Sequence, residues 1–234
     1  MPDAPALPLA QRLYAVQQQL GNAAMAAGRA PDAVQLLAVS KTRSADDIAA
    51  LAALGVRDFG ENYLQEALAK QAQLADLPLT WHFIGPIQSN KTRDIARRFH
   101  WVHSVDRLRI AERLSEQRGA EQPPLNICLQ VNVDREASKS GVTPEQLPAL
   151  AQQVAALPHL RLRGLMALPS ADSNDRNRAA FATLARLQQQ LGATLPGLDT
   201  LSMGMSDDFD TAIAEGATFV RIGTALFGPR PARP

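Results

Sequence analysis

Leu36-Leu37-Ala38-Val39-Ser40-Lys41, running through Thr42-Arg43 into Ser44-Ala45-Asp46-Asp47, decides how this chain is read. A short run of Leu, Ala and Val that meets a helix opener is a buried strand entering a β–α unit. Lysine is seldom buried, and a lone lysine at a strand–loop junction is ordinarily a solvated one. At the carboxyl end of a parallel strand, however, it stands where open and closed α/β folds both place their ligands. An amine there can lose hydration, have its pKa lowered and form an imine with an aldehyde.

The same alternation continues on both sides. Leu9, Leu13, Val16 and Leu20 recur at helical spacing, so an amphipathic helix precedes the first strand and ends near Gly28. The spacing predicts strands at Leu36–Ser40, Asp58–Gly60, Trp81–Gly85, Trp101–Val105, Asn126–Asn132, Leu162–Ala167, Thr200–Met203 and Phe219–Ile222. Helical patterns separate them around 45–54, 62–74, 88–99, 107–118, 144–156, 174–191 and 207–215. Thr143-Pro144-Glu145-Gln146 combines a capping threonine, a first-turn proline and a glutamine three residues on, and predicts the clearest helix start. Eight strands with intervening helices predict a single-domain (β/α)8 TIM barrel over residues 1–234, with an additional N-terminal helix. A doubly wound open sheet produces the same alternation and competes with it. Pro169-Ser170-Ala171-Asp172-Ser173-Asn174-Asp175 is polar and reads as a mobile surface connection.

Composition narrows the partners. With 24 basic and 23 acidic residues the net charge is +1, which provides no long-range field for nucleic acid or a membrane. Arg97-Arg98 reads as a helix's solvent side. No stretch reaches the roughly 20 apolar residues that span a bilayer, and Met1-Pro2-Asp3-Ala4-Pro5 lacks the charged and apolar parts of a secretory signal. Cys128 is the only cysteine, so no internal disulfide forms, and a cytoplasmic location is expected. It lies in a strand-like run and reads as a small core residue. His82, His100, His103 and His159 show no metal-ligand spacing, and no metal is expected. No exposed apolar stripe stands out, and a monomer is expected.

Unusual residues gather at strand ends. The second strand leads into Phe59-Gly60-Glu61-Asn62-Tyr63, where Gly60 permits a sharp turn and Asn62 offers a donor and an acceptor to a ligand rim; Glu61 and Asn62 equally suit a helix start. His82 fits a packed core histidine better than a pocket wall, and Gln88-Ser89-Asn90-Lys91 is a polar helix start near the mouth. Asn132–Gly141 forms a charged loop in which Lys139 fits a structural or solvent role. Ser202-Met203-Gly204-Met205-Ser206-Asp207-Asp208 follows the seventh strand and Arg221-Ile222-Gly223-Thr224-Ala225 the eighth. Barrels often build phosphate sites from these two loops. Gly204 and Gly223 would admit a phosphate to the backbone, while Ser206 and Thr224 supply hydroxyls. Asp207 and Asp208 oppose an anion unless they turn to solvent, where they would favour the helix dipole. Arg221 and Gly223, two apart on one strand, share a face. A lysine, a phosphate cradle and an inward arginine match the needs of pyridoxal 5'-phosphate: imine, anionic tail and pyridine nitrogen.

On these segments, with Trp81-His82-Phe83-Ile84-Gly85 and Ser138-Lys139-Ser140-Gly141, the chain resembles the pyridoxal phosphate homeostasis proteins, related to the N-terminal domain of alanine racemase. The resemblance implies a fold-type III barrel with the cofactor as a Schiff base on Lys41. It implies Ser206, Gly223 and Thr224 on the phosphate, Arg221 at the pyridine nitrogen and Asn62 along the ring. It further implies a protein that stores, buffers or delivers the cofactor, with apo pyridoxal-phosphate enzymes as partners, rather than an enzyme. An amino-acid racemase is the alternative. It needs acid–base groups on both faces of the substrate, and the related racemases take their second base, a tyrosine, from an additional domain. Here only Tyr14 and Tyr63 are tyrosines, neither marked as a base. An arginine opposite the ring nitrogen also weakens the electron sink. A barrel for a phosphorylated sugar would keep the loops but give Lys41 no aldehyde.

Overall fold

The computed structural model describes residues 8–136, 139–169 and 174–229, so Ser138, the connection at Ser170–Ser173 and both ends of the chain lie outside the described residues. The strands are β1 (Gln35–Val39), β2 (Asp58–Glu61), β3 (Thr80–Phe83), β4 (Trp101–Val105), β5 (Leu125–Gln130), β6 (Leu160–Met166), β7 (Thr200–Ser202) and β8 (Phe219–Ile222). They pair in chain order, all parallel, and β8 closes on β1 with Leu37 opposite Arg221 and Ala38 opposite Ile222. The closed (β/α)8 barrel is thereby established, and the open sheet is excluded.

Around the barrel lie α1 (Leu9–Ala26), α2 (Ala45–Ala53), α3 (Leu64–Gln73), α4 (Thr92–Arg98), α5 (Leu108–Arg118), α6 (Leu147–Ala155), α7 (Asn174–Gly192), α8 (Phe209–Ala214) and α9 (Thr224–Phe227). The additional helix α1 buries Leu13, Val16, Leu20 and Ala24, and the Arg12 guanidinium donates to the Leu226 carbonyl at 2.6 Å. Ser44 and Asp47 form a reciprocal capping box that starts α2 immediately after the lysine turn. Among the described residues no helix is long and apolar enough to cross a membrane.

Apolar packing separates into two bodies. The larger fills the space between strands and helices, while a smaller one of Leu37, Ile84, Trp101, Cys128, Met166 and Phe219 fills the barrel's interior. Strands covered on both faces read as nearly continuous apolar runs, which is why their positions were clear in the sequence. Cys128 is fully buried and burial pushes its thiol up, as befits a core residue.

Several helices depart from expectation. The Thr143 hydroxyl does accept the Gln146 amide at 3.4 Å, yet α6 begins only at Leu147. Pro148 has no N–H for the Pro144 carbonyl, so the first turn is not continuous with the helix. The helix expected from 207 starts at Phe209, behind a turn over Ser206–Asp208. The short α9 after Gly223 was not predicted, since four residues carry no period.

Candidate cofactor site

Residues two apart on a strand point to one side. That period carries the barrel's inner face up to its carboxyl-end mouth: Leu37–Val39–Lys41 from β1, Gly60–Asn62 from β2, His82–Ile84 from β3 and Phe219–Arg221–Gly223 from β8. At the mouth lies a cavity of about 370 Å³. Lys41, Asn62, Ser206, Arg221, Gly223 and Thr224, all six residues expected from the sequence, line it together. Val39, Ile84, Leu168 and Met205 provide an apolar wall, and Asp207 stands at the rim.

Lys41 follows β1 on a constrained piece of chain. Thr42 has φ +64°, a left-handed conformation that strains a β-branched residue. Its amide donates to Glu66 Oε1 of α3 at 2.6 Å. On the same helix the buried Lys70 ammonium meets Glu66, Glu61 at 2.7 Å and the Ser40 carbonyl at 2.7 Å. Ser40 Oγ donates to Glu61 Oε1 at 2.6 Å. Glu61 is wholly buried, and burial pushes its carboxyl up against the opposing pull of Lys70. Glu61 therefore ends β2 as an internal anchor for the lysine turn. It does not begin a helix.

Arg221 is buried, and burial pushes its guanidinium down to about 10, against the raising influence of Asp208, so it remains a cation at neutral pH. It donates through one terminal nitrogen to Ser202 Oγ and through the other to the Ala167 carbonyl, each at 2.9 Å. After it, Gly223 turns the chain into α9. The amides of Thr224 and Ala225 come before Leu226, the first donor of that turn, which bonds the Gly223 carbonyl at 3.0 Å. First-turn amides lack partners within their helix and suit an anion.

Several expectations need correction. Asp208 does not turn to solvent: it is buried, accepts the Met205 amide at 2.7 Å and Asn177 at 2.8 Å, and fixes the loop carrying Ser206. Burial raises its carboxyl. Asp207 is exposed. Gly204 serves conformation and packing, with φ +91° and space for no Cβ, which would lie 2.6 Å from the Ala212 methyl. Gly60 lies within β2, where a Cβ would press on Ile84 and Leu37; it makes no turn. The unforeseen glycine is Gly85, where a Cβ would fall 2.3 Å from the Asn62 carbonyl oxygen. Lys139 pairs with Asp134 at 3.0 Å and Glu136 at 3.6 Å, in keeping with its structural reading. Among the described residues no three His, Cys, Asp or Glu side chains group as a metal site.

The model of the alanine racemase N-terminal domain matches residues 15–231. The pyridoxal phosphate homeostasis protein of Pseudomonas aeruginosa is 64% identical over 222 residues, covering 95% of this chain and 96% of that one. Its namesake in Escherichia coli K12 is 50% identical over 226 residues, covering 95% and 97%. This chain belongs to the pyridoxal phosphate homeostasis protein family. Among solved structures, PipY of Synechococcus elongatus superposes with a TM-score of 0.86 without PLP and 0.83 with PLP bound. It shares 42% and 41% identity, covering 94% of this chain and all of that one. Alanine racemase from Corynebacterium glutamicum gives a TM-score of 0.65 at 21% identity, with 94% of this chain and 62% of that one covered, a likeness of fold alone.

In this family member the supporting residues escaped the sequence reading. Lys70 sits in Gln65-Glu66-Ala67-Leu68-Ala69-Lys70, which reads as a solvated helix face, and only α3's docking buries it. His82 is packed as expected, but its bonds to Asp58 and His103, each 2.9 Å, were not foreseen. The period that joined Arg221 to Gly223 would have found them, since His82 is in phase with Ile84 and both histidines interrupt apolar strands.

Proposed function

We propose that the chain, acting as one domain over 1–234, binds pyridoxal 5'-phosphate in the mouth of its barrel and serves as a cytoplasmic, monomeric carrier that stores, buffers or delivers it. The observation that carries this is the convergence of one amine, one buried guanidinium and two hydroxyls on a single cavity in a member of the homeostasis family. PipY, similar over its whole length, is a solved structure with the cofactor bound. The residues fit the group chemically. Asn62 Oδ1 is buried with no hydrogen-bond partner among the described residues, an acceptor left for a ligand's hydroxyl.

Pyridoxal phosphate supplies an aldehyde, which condenses with a primary amine and releases one water. Lys41 provides that amine from the end of β1. Ser206, Gly223 and Thr224 receive the phosphate through hydroxyls and backbone. Arg221, a cation that can only donate, faces the ring nitrogen and keeps a proton off it. Asn62 lines the ring's edge.

A carrier is favoured over a racemase by what faces the cavity. Neither Tyr63, 53% exposed beside a neighbouring recess, nor Tyr14, 65% exposed on α1, lines it. Neither tyrosine is thus placed as a second base opposite Lys41, and Arg221 disfavours charge build-up on the ring. Apo forms of pyridoxal-phosphate enzymes are the proposed recipients.

Titration with pyridoxal phosphate should raise the absorption band of a protonated imine, and Lys41→Ala should abolish it. A wild-type protein that stays colourless refutes the reading. Incubation with alanine in deuterated water should give no sustained exchange of the α-proton; Lys41-dependent exchange would favour the racemase.

A further inference from the structure

A polar thread crosses the interior of the barrel from one end to the other. Asp58 opens β2 at the amino-end mouth, with its side chain 31% exposed, and its Oδ1 lies 2.9 Å from His82 Nε2. His82 Nδ1 lies 2.9 Å from His103 Nε2, and His103 Nδ1 lies 2.8 Å from Ser202 Oγ. Ser202 Oγ accepts Arg221 at 2.9 Å. Both imidazoles are completely buried. Trp101 stacks on His82 with ring centres 5.6 Å apart and an interplanar angle of 8°, and Phe219 turns its edge to both histidines.

The charges at the two ends dictate the direction of every bond between them. Arg221 can only donate, so Ser202 accepts from it and turns its own hydrogen to His103 Nδ1. His103 must then carry its proton on Nε2 and donate to His82 Nδ1. His82 in turn carries its proton on Nε2 and donates to Asp58, which as a carboxylate only accepts. Reversing the thread leaves the Ser202 hydroxyl without an acceptor and sets a bare ring nitrogen against the carboxylate. Only one arrangement completes every link with neutral rings.

We propose that Ser202, His103 and His82 are positioning residues for Arg221, joined as a one-way donor chain that ends on Asp58 at the opposite mouth. The chain, together with the Ala167 carbonyl on the other terminal nitrogen, fixes the guanidinium's plane toward the cavity. The other ionisable groups facing it are His100 beside His82, and Asp208 and Cys128 beside Arg221. Burial lowers both ring pKa values, in keeping with neutral imidazoles. The role toward the cofactor rests on the function proposed above; the direction of the chain does not.

Nitrogen-15 NMR of the histidine rings, in protein without added cofactor, tests the direction. Both rings should be neutral Nε2–H tautomers from pH 6 to pH 8. An Nδ1–H tautomer or an imidazolium at His82 or His103 overturns the proposal. Titration of pyridoxal phosphate into Ser202→Ala and Ser202→Thr tests the positioning. Loss of one bond to a charged group should weaken uptake about tenfold in the alanine variant. The threonine variant, which keeps the hydroxyl, should lie within about twofold of wild type. Equal affinity and an unchanged band in wild type and Ser202→Ala overturn this proposal alone, whereas no uptake by wild type refutes the site's reading instead.

Discussion

At the scale of single residues, Thr42 holds the least comfortable backbone in the site. A β-branched residue at φ +64° costs on the order of 1–2 kcal/mol, and it persists because the Glu66 carboxylate grips its amide. Thr42→Gly removes the steric strain but adds freedom to the unfolded chain. The expected net effect is a gain of about 0.5–1 kcal/mol in urea unfolding. A clear loss of stability would mean that the turn does not impose this conformation. The six cavity residues were legible because each has a side chain or a glycine that is unusual at a strand end. Thr42 was not, because left-handed geometry leaves no mark in composition.

Among elements, α3 does more for the site than its sequence suggests. Its Lys70 ties Ser40, Glu61 and Glu66 together directly beneath the amine-bearing turn. Removing one member of a buried ion pair strands the other charge, so Lys70→Met should cost about 3–5 kcal/mol. Adding Glu61→Gln should recover at least half of that, as measured by denaturant titration of the single and double variants. Additive losses would argue that the two groups do not share an interaction. The β–α order was readable from apolar runs and caps. Closure was not, because β8 meets β1 through register between distant segments, and no local pattern records which strand is the neighbour.

For the molecule as a whole, the buried histidines set the pH response. His82 and His103 are kept neutral by burial, while the exposed His100, which accepts the Trp81 amide at 3.0 Å, has its pKa lowered by partial desolvation and by the neighbouring Arg118. Their folded pKa values lie below the unfolded value of about 6.5, so below that pH the unfolded chain binds protons that the folded rings refuse. Stability should therefore fall as pH drops beneath about 6.5, by up to about 1.4 kcal/mol per pH unit for each of the two buried rings and by less for the exposed His100. Glu61 and Asp208, with raised carboxyls, oppose the fall in part. Urea midpoints between pH 7.5 and pH 5.5 should decline, and His100→Gln should flatten the decline. A slope unchanged in that variant would place a proton on His100 in the folded state.

Arg12 on α1 grips the Leu226 carbonyl 214 positions further along, and the cavity's two principal cations come from β1 and β8. A growing chain leaving the ribosome thus carries its amine early but lacks the Arg221 guanidinium, the loop after β8 and the seat for its first helix until β8 and α9 have been made. The cavity is complete only once β8 has joined β1. A nascent fragment stopped before Phe219 can only wait.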